Sequence, residues 1–204
     1  MVAQRAMDTL ANLVILVVIP LLLYYVYQWR RRGRKLGEVL RRVGLQRGEL
    51  KYLWYAVAAV AAIGLWLWLF PPDLEAMTRE GSAQHAFAGA KMNLDVMSAA
   101  LLYALVQTGF AEEFLFRGLI TGTLSRRMSL LKANLIQSLI FLAPHLLLLI
   151  VMPKQWPLLV LVFVGASYAG WIRIRSGSIL GPWLIHGGAN LAVTLSVLIR
   201  AVPS

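Results

Sequence analysis

Long apolar runs alternate with shorter polar segments along the whole chain, which predicts a bundle of membrane-spanning helices. The runs cover roughly residues 10–29, 52–70, 96–122, 133–151, 157–173 and 179–200. Each has about the 20 residues that a helix needs to cross the hydrocarbon core of a bilayer. Within the runs, apolar and polar side chains do not alternate, which argues against a transmembrane β-barrel. The pattern therefore predicts an all-α, polytopic membrane helix bundle of about six transmembrane helices.

The polar segments between the runs differ in basic residues, and this difference predicts the orientation of the chain. Residues 30–51 contain nine Lys or Arg, and further basic residues follow the third and fifth runs. The opposite loops and termini together contain five. Because basic loops stay in the cytoplasm, we expect both the N-terminus and the C-terminus on the outside.

The sequence also predicts the structure of two of the polar segments between the runs. Apolar side chains at Leu36, Val39, Leu40 and Val43 form a helical stripe among arginines. This stripe predicts an amphipathic segment that lies along the cytoplasmic membrane surface. Residues 71–95 contain Pro71 and Pro72 and form the one long external loop, where His85 is expected to be an ordinary solvated residue.

Composition supports the membrane assignment and narrows the possible partners. The chain is 59% hydrophobic and only 14% charged, whereas soluble domains have nearly twice that charged fraction. A net charge of +11 would suggest nucleic acid in a soluble protein. Here the basic residues cluster beside apolar runs, so we expect membrane lipid as a partner and no nucleic acid. The absence of cysteine excludes disulfides and thiolate chemistry.

The third run contains ionisable residues that a lipid-facing helix would not tolerate. Glu112, Glu113 and Arg117 lie within one and a half turns, and each costs about 2.5–3.5 kcal/mol at mid-bilayer unless it is paired or hydrated. Glu113 and Arg117 are four residues apart, so they share a helix face and form an ion pair. Glu112 points about 100° away from Glu113, and it therefore needs a cavity or a partner on another helix.

Two later runs supply polar groups that could meet Glu112. The fourth run contains Phe141 and His145, and the sixth contains His186 and Asn190, each pair four residues apart. Glycines at positions 187 and 188 remove side-chain bulk beside His186 and favour the close approach of another helix. Since buried polar groups are stabilised by bonding one another, we expect these residues to converge in one hydrated cavity.

These motifs resemble a known family of membrane enzymes. Glu112–Arg117 reads E-E-x-x-x-R, Phe141–His145 reads F-x-x-x-H, and His186–Asn190 reads H-x-x-x-N. In this order, on successive spans, they resemble the CAAX prenyl protease and bacteriocin-processing (CPBP, or Abi) family of intramembrane proteases. The resemblance covers Asn93 to Leu195 and includes Ser176-Gly177-Ser178-Ile179 ahead of His186.

The resemblance implies an intramembrane endopeptidase that acts on a membrane-associated protein or peptide. Glu112, His145, His186 and Asn190 would be its catalytic residues. Three further positions would support them, namely Glu113, Arg117 and Phe141. Residues 1–95 would then contribute two N-terminal helices, the basic segment and the external loop, and residues 96–204 a four-helix catalytic core. A multi-pass protein of a prokaryotic plasma membrane is expected, with its substrate unassigned.

The residue types are compatible with two mechanisms and one non-enzymatic function. We expect Glu112 and His145 to activate a water molecule, and His186 and Asn190 to bind the developing oxyanion, with no metal and no cofactor. Zinc held by one glutamate and two histidines is the alternative, although the H-E-x-x-H spacing is absent. A membrane immunity or scaffold protein could also contain such buried polar groups. A proton-coupled carrier is disfavoured, because the halves show no internal symmetry.

Overall fold

The computed structural model describes residues 1–151 and 153–201, so residue 152 and the last three residues of the predicted core lie outside it. Within these ranges it is all-helical and contains six helices that are long and apolar enough to cross a membrane. We call them the first to sixth spans: Val2–Arg32, Lys51–Leu69, Leu94–Leu124, Leu130–Ile150, Trp156–Ser176 and Leu180–Arg200. The predicted helix bundle is confirmed, and the protein is an integral, multi-pass membrane protein.

The first span begins eight residues earlier than the apolar run, because its polar N-terminal turns lie against another helix. The Asn12 side chain donates to the backbone carbonyl of Gln107 at 3.2 Å. The Arg5 guanidinium donates to the Gln107 side chain at 3.4 Å and lies over the ring of Tyr103. Hydropathy does not detect this extension, because Arg5 and Asn12 are polar. Both side chains nevertheless bond the third span. The first span thus packs on the predicted core, and the division after residue 95 stays a prediction.

The third span differs from a regular α-helix over most of its length. Its segments Leu102–Phe110 and Phe114–Thr121 are π-helical, and one α-helical turn, Ala111–Glu113, lies between them. The Thr108 hydroxyl donates to the Tyr103 carbonyl at 2.9 Å, and Thr121 donates to Phe116 at 2.8 Å. Both bonds reach five residues back, which matches the wider π-helical turn. Such turns are rare and occur frequently at functional sites.

The fourth span ends its main helix earlier than predicted. The helix runs over Leu130–His145, and a separate short helix, Leu148–Val151, follows it. Pro144 lies in the last turn and has no N–H to donate to the carbonyl four residues earlier. His145 is consequently the last residue of the main helix. The prediction of one continuous helix over 133–151 is wrong, because the helix is interrupted between His145 and Leu148.

The amphipathic segment forms the short helix Leu36–Arg42, which closes the basic end of the bundle. Val39 and Val43 are fully buried, and Val43 packs against Phe114 and Ile179. A Cβ atom at Gly118 would lie 2.9 Å from the Val43 carbonyl oxygen, so a glycine in the third span permits this contact. Val39 and Val43 therefore pack on protein, where we expected the stripe to face lipid, whereas Leu36 stays exposed.

The segment 71–95 covers the opposite end of the bundle and has its own short elements. Leu74–Thr78 is helical and His85–Phe87 is a 3₁₀ turn. Phe87 is fully buried in a cluster with Tyr103 and Leu198. The His85 side chain stays exposed, and its Nδ1 bonds the Thr78 carbonyl at 2.8 Å, as expected for a loop residue. This segment thus packs on the ends of the third and sixth spans that lie opposite the basic segment.

The fourth and fifth spans are joined by a buried polar network. The Gln137 side chain is fully buried and donates to the Ala166 carbonyl at 2.9 Å. The Ser167 hydroxyl donates to that of Ser138 at 3.0 Å. A side chain at Gly170 would collide with Gln137, so the glycine leaves room for the network. These bonds assign Gln137 and Ser167 to helix packing.

Candidate active site

An ion pair at the centre of the third span anchors the site. Glu113 Oε1 accepts a hydrogen bond from Arg117 Nη1 at 2.8 Å, and both side chains are almost fully buried, with 1% and 2% exposed. The Arg117 guanidinium also lies 4.1 Å from the centre of the Phe141 ring, within the range of a cation–π contact. The predicted pairing of Glu113 with Arg117 is confirmed.

His186 lies between the two carboxylates. Its Nδ1 is 2.9 Å from Glu113 Oε1, and its Nε2 is 4.0 Å from Glu112 Oε2. Because the Glu113 carboxylate can only accept, Nδ1 carries the proton of this bond. One glutamate therefore fixes the orientation of the imidazole, and the Nε2 edge is presented to the other.

The charges of this cluster balance when the imidazole is protonated. Two carboxylates, one guanidinium and one imidazolium sum to zero, which lowers the cost of burying the group in an apolar bundle. Glu112 and His186 are 23% and 15% exposed, whereas Glu113 is nearly inaccessible. The accessible carboxylate and the accessible imidazole edge are thus the groups that a bound molecule would meet.

Phe141 separates the two histidines. Its ring stands edge-on to the His186 ring, with centroids 5.9 Å apart, and packs against the His145 ring at 4.6 Å. His145 Nδ1 donates to the Phe141 carbonyl at 2.8 Å. Among the described residues, His145 makes no hydrogen bond to Glu112, His186 or Asn190. The structure thus joins His145 to the site through the aromatic ring.

Asn190 lies one helical turn from His186 and bonds a residue that sequence reasoning missed. Its amide donates to the Thr108 hydroxyl at 2.9 Å, and Thr108 in turn donates to the Tyr103 carbonyl in the π-helical segment. Thr108 is a polar residue four positions before Glu112, and this spacing is the signal in the sequence that could have identified it. Thr108 therefore orients the Asn190 amide.

Two glycines bring the third and sixth spans close enough for these contacts. A Cβ atom at Gly187 would lie 2.9 Å from Leu105 Cδ2, and one at Gly109 would lie 3.1 Å from the Gly187 Cα atom. Both distances are shorter than ordinary contacts. Gly188 faces the second span, since its Cβ atom would lie 2.9 Å from Val60. The predicted role of the two glycines beside His186 is confirmed.

The variant Gly109→Val is expected to separate the third and sixth spans and to weaken the bond between His186 and Glu113. Overpacking of this kind costs about 1–3 kcal/mol, so thermal stability and any hydrolytic activity should both fall. Gly165→Val is the matched control, because a Cβ atom at Gly165 meets nothing within 4 Å. Equal melting temperatures and activities for the two variants would contradict this assignment of the close contact.

The zinc alternative can be compared with this geometry. Its ligands would be Glu112, His145 and His186, with metal–ligand bonds of about 2.0–2.2 Å. Glu112 and His186 are 4.0 Å apart, and the Phe141 ring lies between the histidines. Across residues 1–151 and 153–201, no three carboxylate or imidazole groups converge as a metal site. The metal-free and the zinc mechanism both stay predictions at this point.

The family model described as Type II CAAX prenyl endopeptidase Rce1-like matches residues 95–192. The matched segment contains Glu112, Glu113, Arg117, His145, His186 and Asn190. No curated protein and no solved structure matches the chain.

Proposed function

We propose, because residues 95–192 match the family model of Rce1-like type II CAAX prenyl endopeptidases, that the chain is a protease of this family and that Glu112 activates a water molecule to hydrolyse a peptide bond of a membrane-associated substrate. The family implies CAAX-type intramembrane protease activity. The observation that carries the finer proposal is the position of His186, fixed by Glu113 and turned toward Glu112. The two accessible groups provide a base and a hydrogen-bond donor side by side.

Glu112 acts as the general base in this mechanism. Its carboxylate takes a proton from the water, the water oxygen attacks the carbonyl carbon, and the C–N bond then breaks. The proton held by Glu112 passes to the leaving amine, so the carboxylate is regenerated without a covalent intermediate. A separation of 4.0 Å between Glu112 Oε2 and His186 Nε2 leaves room, off the line that joins them, for an oxygen at about 2.8 Å from each atom.

His186 and Asn190 stabilise the negative charge that develops on the carbonyl oxygen. Protonated His186 donates through Nε2, because Nδ1 is engaged by Glu113. Asn190 donates through the amide that Thr108 orients. Removing one such donor typically lowers kcat by about 10²–10³. His145 orients the substrate or the water from the far side of Phe141.

A cleavage assay on lipid-anchored peptides tests the proposal. The wild-type protein in lipid nanodiscs is incubated with a farnesylated peptide that has three residues after the modified cysteine, and the products are identified by mass spectrometry. We expect release of the C-terminal tripeptide by the wild type, and a loss of about 10²-fold or more in His186→Gln. Cleavage by His186→Gln at the wild-type rate would overturn the mechanism. A purely scaffolding protein would release no peptide from this or any membrane-anchored substrate.

Resistance to chelators is expected of a metal-free mechanism. Activity should survive dialysis against 1,10-phenanthroline, because catalysis by Glu112 and His186 needs no Lewis acid. A zinc enzyme of known activity, treated in parallel, serves as the control. Complete inactivation that added zinc reverses would favour the zinc mechanism.

The basic end of the bundle is proposed to face the cytoplasm of a prokaryotic cell, with both termini outside. Support comes from the nine basic residues in 30–51 and from the preference of such segments for the cytoplasmic side. The site would then be reached from within the membrane or from the cytoplasmic side.

A further inference from the structure

We propose that a cavity at the basic end of the bundle binds the phosphate group of an anionic phospholipid. The cavity has a volume of about 450 Å³ and lies between the helix Leu36–Arg42 and the ends of the third and fifth spans. The residues that line it are Arg34, Glu38, Arg41, Arg42, Gln46, Ser125, Arg126, Arg173 and Gly177. It is separate from the site around Glu112, and this proposal does not depend on the proteolytic function.

The positive charge of the cavity is not balanced by protein groups. Five arginines face one carboxylate, that of Glu38. In the part of the chain that the structure describes, none of these arginines forms an ion pair, and the ion pairs that occur involve other residues. A concave cluster of guanidinium groups with a large excess of positive charge attracts an anion.

Arg173 is the deepest of these arginines and the most informative. Only 6% of it is exposed, and its Nε and Nη2 donate to the backbone carbonyls of Arg117 and Arg42, both at 3.0 Å. Neutral carbonyls do not neutralise a buried cation. The buried Nε of Arg42, which also lines the cavity, has no hydrogen-bond partner among the described residues. A donor is therefore available to an anionic ligand.

The backbone preserves space for these side chains. Gly44 adopts φ = +81°, and a Cβ atom there would lie 2.8 Å from the Arg173 guanidinium carbon. A Cβ atom at Gly122 would lie 3.1 Å from Arg173 Nη2. Burial lowers the pKa of Arg126, and the charge of neighbouring Arg42 lowers it further. The cluster thus repels itself, and a bound anion would relieve the repulsion.

A lipid phosphate fits this cavity better than a soluble one because of its position. The cavity lies where the third and fifth spans end, and the first span finishes with the arginines 30–32 on the same side. Lipid headgroups occupy this level of a bilayer, and basic pockets between helix ends bind anionic headgroups. Guanidinium groups match phosphate geometry and form two parallel hydrogen bonds to it.

Lipid retention by the purified full-length protein tests the proposal. The protein is titrated in detergent with phosphatidylglycerol, with phosphatidylcholine, or with inorganic phosphate, and bound lipid is counted by native mass spectrometry. Wild type should retain phosphatidylglycerol in preference to phosphatidylcholine. Arg126→Gln and Arg41→Gln should each weaken this binding roughly five- to tenfold, since one basic residue near the membrane contributes about 1 kcal/mol or somewhat more.

Arg127→Gln is the matched control, because Arg127 is exposed, carries the same charge and does not line the cavity. Its affinity for phosphatidylglycerol should equal that of the wild type. An equal loss in the control would show a nonspecific charge effect and overturn the site. If inorganic phosphate competed with phosphatidylglycerol at equal concentration, the cavity would be a site for soluble phosphate and the lipid assignment would be wrong.

Discussion

Replacing Glu112 by glutamine should reduce kcat/KM for a membrane-anchored peptide by about 10²–10⁴ and leave the fold intact. Glutamine has the same shape but cannot accept a proton from water, and general base catalysis contributes a factor of this size. Glu112 forms no hydrogen bond within the described structure and is 23% exposed, so its loss leaves no buried partner unsatisfied. The measurement is single-turnover cleavage in nanodiscs, with the melting temperature taken on the same sample.

Glu49→Gln is the control for this experiment. Glu49 is an exposed carboxylate that pairs with Lys51 at the basic end, so its substitution changes the charge by the same amount away from the site. Its activity should equal that of the wild type. An active Glu112→Gln protein would remove the base from the mechanism, whereas a Glu112→Gln protein that is unfolded would show that the residue is structural.

The second large effect is expected on the thermal stability of a variant at Arg117. Arg117→Met removes the partner of a buried carboxylate, and breaking a buried ion pair in this way costs about 3–5 kcal/mol. For a chain of this size, the melting temperature should fall by about 10 °C. The cause is Glu113, a carboxylate with 1% exposure that would lose its buried cation and keep the bond from His186. Differential scanning fluorimetry in detergent measures the shift.

Lys51→Met provides the comparison, because Lys51 and Glu49 form an ion pair that is exposed. Exposed pairs contribute about 0–1 kcal/mol, so this variant should melt close to the wild type. Adding Glu113→Gln to Arg117→Met should recover part of the lost stability without restoring activity. A melting temperature for Arg117→Met within 1 °C of the wild type would contradict the anchoring role of the buried pair.

The number of spans was predictable because burial in lipid leaves a composition signal that does not depend on tertiary contacts. The ends of the spans were less predictable for identifiable reasons. Arg5 and Asn12 look like loop residues, yet they bond the third span. Val39 and Val43 look like a lipid-facing stripe, and they are buried under the bundle. In both cases the partner lies far along the sequence, where local pattern gives no information.

The proximity of the polar residues around His186 was predictable from the sequence, and their contacts were predictable only in part. Spacing alone identified the pair of Glu113 with Arg117, because helical periodicity determines that contact. The bond from His186 to Glu113, where Glu112 was expected as the partner, depends on how two helices cross at Gly109 and Gly187. The π-helical turns around the glutamates and the end of the helix at His145 also have no periodic signature.

A double-mutant cycle between Glu112 and His186 tests the central claim most directly, with kcat/KM for a membrane-anchored peptide as the readout. If the carboxylate and the imidazole act on the same water and carbonyl group, Glu112→Gln combined with His186→Gln should be little worse than either single variant, since residues that act as a unit are strongly non-additive. Losses that multiply, or a double variant that still cleaves the peptide at the wild-type rate, would contradict the account.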